Sequence, residues 1–153
     1  MQLYAHEEVK QLCITLQDCY EINVNIILWC CWFASVQGEC SKELLSSILA
    51  DNKPWHAQVT CQLRQARQWL RNNHQHELVQ PFRQQLLQLE ITSEAFEQEQ
   101  LYQRSMKQNQ SGSTGRSAAR SNMQMYFNQL HATVSEAHWQ FIELNLLTRV
   151  NEF

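Results

Sequence analysis

Ile26-Ile27-Leu28-Trp29-Cys30-Cys31-Trp32-Phe33-Ala34 is the longest apolar run in the chain and carries no charged residue. It is far shorter than the roughly 20 residues a helix needs to cross a bilayer. It therefore reads as a helix apolar on every side, which belongs at the centre of a core. Asn23 or Asn25 stands where an N-cap is needed and Gly38 where a helix ends. Upstream, Val9, Leu12, Cys13, Leu16 and Tyr20 recur at three- and four-residue steps and predict an amphipathic helix over His6–Tyr20.

Downstream, Ser41 and Glu43 open a short helix carrying Leu44, Leu45, Ile48 and Leu49, expected to stop before Asn52-Lys53-Pro54. Pro54 then fits the first turn of a fourth helix, whose apolar stripe is Trp55, Val59, Leu63, Ala66 and Leu70. Arg64, Arg67 and Arg71 share a different face of that helix. Phe82, Leu86, Leu89 and Phe96 mark a fifth helix reaching towards Lys107, with an interruption expected near Ile91-Thr92-Ser93. Residues 108–117, rich in Gln, Ser and Gly, have the composition of a flexible internal loop. Beyond it, Met123, Phe127, Leu130, Val134, Ala137, Phe141, Leu144 and Thr148 alternate at steps of four and three without Gly or Pro, which predicts one long C-terminal helix.

The composition agrees with helices throughout. Only 3 Gly and 2 Pro occur in 153 residues, too few to supply the backbone angles of many hairpins. The length suits one core. The expectation is an all-α fold: a single-domain bundle over 1–153, of about five to seven helices, with a buried second helix and a long last one.

A net charge of -3 lacks the general basic footprint that phosphate binding requires, so no nucleic-acid partner is expected. No run spans a membrane, and the start at Met1-Gln2-Leu3-Tyr4 lacks the basic and apolar regions of a secretory signal. Six cysteines lie inside helical patterns and not in a loop framework, which predicts reduced thiols in a cytoplasm.

Four polar residues, Gln17, Asp18, Asn23 and Asn25, fall at the junction of the first two helices. They either line a small polar pocket that orients a ligand or cap the second helix. Arg64, Arg67 and Arg71 either recognise a phosphate or an acidic partner or pair with Glu90, Glu94 and Glu97. Cys30 and Cys31 point about 100° apart on a helix and suit core packing better than a shared metal. His131 and His138 are seven apart, whereas helical metal pairs such as HExxH use four. No nucleophile elbow, P-loop or dinucleotide glycine pattern occurs. No metal, cofactor or catalytic residue is assigned.

Leu3-Tyr4, Leu16-Gln17-Asp18, Val24-Asn25, Trp32, Trp55 and Leu63-Arg64-x-x-Arg67-x-x-Leu70 together make the N-terminal half resemble a small proteobacterial family described only as a domain of unknown function. The resemblance implies a helical fold and a cytoplasmic setting, and no reaction. Glu21 stands where that family is expected to place a glycine. On this reading the chain is a non-enzymatic helical interaction module, with a protein partner at the arginine face or self-association through the last helix. The alternative is a small-ligand binder or enzyme using the polar junction.

Overall fold

A computed structural model describes residues 6–107 and 112–153. Leu3 and Tyr4, which carry part of the family resemblance, and residues 108–111 of the expected loop lie outside them. The described residues form an all-α fold with no β-strand, and none of their helices is long and apolar enough to cross a membrane. The chain divides into two compact units, Met1–Ser46 with Ser105–Phe153 and Ser47–Arg104.

In the first unit, α1 (Glu7–Tyr20) buries Val9, Leu12, Cys13 and Leu16, the stripe its periodicity marks. It ends at Glu21, whose φ of 53° is left-handed. Glycine adopts that angle at least cost, which explains why one is expected in this turn. Helix α2 (Val24–Val36) is buried along almost its whole length, from Val24 to Ala34 with only Trp32 part-exposed. It packs most extensively on α6 (Arg116–Gln129), where Ala118 and Ala119 let the backbones approach and Met123, Tyr126 and Phe127 fill the space. Each large apolar side chain so buried stabilises the fold by about 1.5–3 kcal/mol.

Asn122, wholly buried on α6, accepts from Cys40 N at 2.8 Å and donates to the carbonyls of Gly38 and Cys30 at 3.1 and 3.3 Å. The irregular backbone after α2 is thereby satisfied from another helix. Gly115 opens α6 at φ 104°, ψ -154°, a conformation essentially restricted to glycine, and its N–H reaches Ala34 O at 2.9 Å. Of the expected loop, therefore, residues 112–115 are non-helical, whereas Arg116 and Ser117 belong to α6.

The single long C-terminal helix does not form. Helix α6 ends at Gln129, α7 spans Glu136–Asn145 and a 3-10 segment covers Leu147–Glu152. The stop is a Schellman arrangement: His131 takes the left-handed position at φ 54°, its N–H reaches Asn128 O at 3.1 Å and Ala132 N reaches Phe127 O at 3.0 Å. Ser135 then caps α7 by accepting from His138 N. Tyr20 holds the break from outside, its hydroxyl 2.6 Å from His138 Nδ1 and accepting from Ser135 N. The break changes which residues face inward: Trp139, Ile142, Leu146 and Leu147 are buried, and Phe141 and Leu144 of the expected seam are exposed.

The second unit also departs from expectation at Pro54. Helix α3 (Lys42–Trp55) runs through it into a five-residue π turn, His56–Thr60, and on into α4 (Cys61–Asn73). Proline inside a helix removes a hydrogen bond and costs about 3 kcal/mol. Asn52 and Thr60, on either side of it, both bond Glu97 on α5 (Val79–Ser105), so the continuous helix offsets that cost by anchoring both ends. Nor is α5 interrupted near residue 91: Ser93 is buried within it and bonds Thr60, leaving no hydroxyl to restart a helix.

Candidate functional site

The second unit is an antiparallel helical hairpin, because its contacts descend on one helix as they ascend on the other. Thr60 meets Glu97, Arg64 meets Glu94 and Glu90, and Arg67 meets Glu90. These contacts form a polar spine. Trp55 Nε1 donates to Ser93 Oγ at 2.9 Å, and Thr60 Oγ1 lies 2.6 Å from Ser93 Oγ and donates to Glu97 at 2.5 Å. Since the Thr60 proton is committed to Glu97, Ser93 donates to Thr60, giving a one-way chain from the indole to the carboxylate. His56 Nδ1, 3.0 Å from Glu97, and Asn52 Nδ2, 3.3 Å away, also surround this carboxylate, which has no exposure.

Further along, Glu90 is held by two guanidinium groups, Arg64 Nε at 2.9 Å and Arg67 Nε at 2.6 Å. Burial pushes the Glu90 carboxyl up, but its bonds to Arg67 and Arg64 outweigh this and hold it below the ordinary carboxylate value. Glu94 receives only Arg64, at 2.6 Å, and there burial wins and its carboxyl is raised. Burial disfavours the charged form of Arg64, yet Glu90 and Glu94 together raise it above its usual value.

Beside the spine lies an apolar face. At 100° per residue, Val59, Leu63 and Leu70 fall about a quarter turn to one side of the Thr60–Arg64–Arg67 row. Phe82, Leu89 and Phe96 fall about a quarter turn to the same rotational side of the Glu90–Glu97 row, with Leu86 between them and the row. Equal offsets on antiparallel helices put both stripes on one side of the hairpin. The Trp55 and Phe96 rings meet there, 4.4 Å between centroids. The face is poorly covered: Phe82 is 52% exposed, Leu89 55% and Phe96 42%, and no residue of α4 is fully buried.

A cleft at the base of the hairpin is lined by Asn52, Trp55, Phe96, Glu97 and Leu101, with the Asp51–Arg104 ion pair at its side. It encloses about 20 Å³, room for a water and not for a small molecule. Among the described residues, no three His, Cys, Asp or Glu gather closely enough to hold a metal ion.

The polar residues of the α1–α2 junction divide. Asn23 caps α2, its Oδ1 accepting from Asn25 N at 2.9 Å, and its own N–H donates to the Tyr126 hydroxyl at 2.9 Å. Asn23 and Asn25 are buried, Gln17 is half-buried and Asp18 is exposed. Arg64 and Arg67 face α5 and Arg71 is exposed. The cluster of His56, Thr60, Ser93 and Glu97 escaped sequence reasoning, in which Glu97 stands as a partner of the arginines and Ser93 at a helix interruption. Their signal is a second, polar stripe at helical spacing, 56-60-64-67 on one helix and 90-93-97 on the other, running beside each apolar stripe.

The family described as "protein of unknown function (DUF2390)" matches residues 1–101. No curated protein and no solved structure matches the chain.

Proposed function

The chain belongs to the DUF2390 family, and from its own geometry we propose that it is a non-enzymatic interaction module of the bacterial cytoplasm that docks a protein on the apolar face of the α4–α5 hairpin. One observation carries the reading. Phe82, Leu86, Leu89 and Phe96 repeat at the spacing of a packing seam, yet Phe82, Leu89 and Phe96 remain 42–55% exposed. A stripe of that size and regularity marks an interaction site, because completing the burial of each such side chain is worth a good part of about 1.5–3 kcal/mol. The arginine face serves this reading indirectly: Arg64 and Arg67 hold α4 to α5 and so keep the two apolar stripes side by side. The cytoplasmic setting is supported by the free thiols of Cys13, Cys30, Cys31 and Cys40, all buried without a disulfide.

The test is a photo-crosslinking residue placed at Phe82 or Leu89 in the native cell, with exposed Glu99 as control. Protein adducts are expected at 82 and 89 above the level at 99. Equal labelling at all three positions would remove the reading.

A further inference from the structure

We infer that the far end of the α4–α5 hairpin is a carboxylate-binding site formed by Arg71 and Arg83, which takes an acidic side chain of a protein partner. The source of the carboxylate rests on the docking reading above, and the site itself does not.

The register of the polar spine carries the inference. Seven residues rise about 10.5 Å along a helix and return to nearly the same face. One such step beyond Arg64 on α4 stands Arg71, and one such step before Glu90 on α5 stands Arg83. Because the helices are antiparallel, both steps lead in the same direction. The position next to the Arg64–Glu90 ion pair is therefore Arg71 opposite Arg83, a second guanidinium where the pattern of the spine puts a carboxylate.

No acidic group of this segment makes good the difference. Between Asn72 and Leu89 the sequence has one acidic residue, Glu77, which is exposed in the connection. Among the described residues neither the Arg71 nor the Arg83 side chain makes an ion pair or a hydrogen bond, whereas Arg64, Arg67 and Arg104 all do. Arg83 is half-buried, and its Nε is shut off from water without an acceptor. A buried donor without a partner is unfavourable, so an arriving acceptor relieves a cost that the free chain bears. Arg83 also stands near the start of α5, whose first turn carries no acidic residue, and that end of a helix favours negative charge over positive.

Two guanidinium forks suit an oxyanion, which each can grip bidentately. The net charge of -3 opposes a polyanion such as nucleic acid at long range. Beside the arginines, Trp69 and Phe82 are 57% and 52% exposed, and exposed aromatic and arginine side chains together are the usual anchors of protein recognition. An acidic residue set among apolar ones matches both kinds of group.

The first test is of the register. Arg83→Glu replaces a like-charge pair by an ion pair with Arg71 and is expected to raise the melting temperature of the full chain by about 2 °C. In an Arg71→Ala background about half of that gain or less should remain. No gain, or the same gain in both backgrounds, overturns the pairing. The second test titrates the isotope-labelled full chain with the peptide acetyl-Leu-Glu-Glu-Leu-amide, followed at the arginine Nε–H signals. Arg71 and Arg83 are expected to shift together and saturably, with a Kd of about 1 mM, while Arg64 and Arg67 stay in place. The glutamine analogue of the peptide should shift neither, and Arg83→Gln, with unchanged circular dichroism, should abolish the Arg71 shift. Silence of both arginines overturns the site, and tighter binding of inorganic phosphate than of the peptide overturns its assignment to carboxylates. Shifts without crosslinks at 82 and 89 sink the docking reading and keep the site, whereas crosslinks with both arginines silent sink the site alone.

Discussion

Thr60 Oγ1 donates to the Glu97 carboxylate at 2.5 Å, and neither residue has any exposure to solvent. A buried carboxylate is tolerated only where hydrogen bonds replace its lost hydration, and here Thr60, His56 and Asn52 supply them. The π turn is what brings Thr60 and His56 to the same carboxylate, and widened turns of this kind recur where a helix must aim particular side chains.

Glu97→Ala is therefore expected to destabilise the hairpin by about 3 kcal/mol, since it orphans several buried donors at once. Glu97→Gln keeps the volume and one acceptor and should cost less. Amide hydrogen exchange resolved to α4 and α5 measures both, and unchanged protection in Glu97→Ala would contradict the account.

Asn122→Ala removes the group that satisfies the backbone at Cys40, Gly38 and Cys30. The loss expected is about 2–4 kcal/mol, the cost of leaving buried backbone polar groups without partners. The urea midpoint is the readout, and Asn122→Asp, which retains the acceptor for Cys40 N but not the two donors, should fall short of wild type as well.

Glu90 and Glu94 should respond differently to removal of their charge. Glu90 is depressed below 4.5 when folded, so its contribution is present above that value and is lost as pH falls through the lower folded one. Glu94 is raised, so its contribution is complete below 4.5 and disappears as pH rises through the higher folded value. At pH 7, Glu90→Gln is expected to lower stability by about 1–3 kcal/mol and Glu94→Gln to leave it nearly unchanged. Thermal melts at pH 4 and pH 7 decide this, and equal losses for the two variants at pH 7 would refute it.

The thiols set an alkaline limit. Burial pushes Cys13 up to about 12 and Cys40 to about 11, and holds Cys30 and Cys31 well above 9.0. Groups raised on folding contribute fully below the unfolded value and lose that contribution as pH climbs towards the folded one, so stability should fall from about pH 9 upward. The slope approaches about 1.4 kcal/mol per pH unit for each thiol that titrates only on unfolding. Iodoacetamide labelling at pH 8 should mark exposed Cys19 first and leave Cys13, Cys30 and Cys31 protected.

Much of this architecture is readable before any coordinates. The apolar run 26–34 marks the buried α2, the stripe of α1 is the one its periodicity gives, and of the two cap candidates ahead of the run, Asn23 and Asn25, the structure uses Asn23. The misreadings have specific causes. His131 occupies a left-handed position usually filled by glycine, so nothing local announces the end of α6. Pro54 looks like a boundary because its local cost is visible and the buried bonds of Asn52 and Thr60 to Glu97 are not. The Ser93 and Glu97 end of the polar spine was hidden for the same reason, its partners lying 33 to 45 positions apart in the chain.

Composition and periodicity were enough for the all-α class, the central place of α2 and a cap at Asn23 or Asn25, because those depend on the count of apolar side chains and on contacts within one helical turn. The same periodicity marks Phe82, Leu89 and Phe96 as a packing face but is blind to whether anything covers it. Only the tertiary structure decides that Arg64 and Arg67 are turned inward to Glu90, that Glu97 is buried and satisfied, and that the stripe beside them stays half-exposed. A helix of given sequence offers the same stripe whatever lies opposite, and what lies opposite is set by pairings between distant segments.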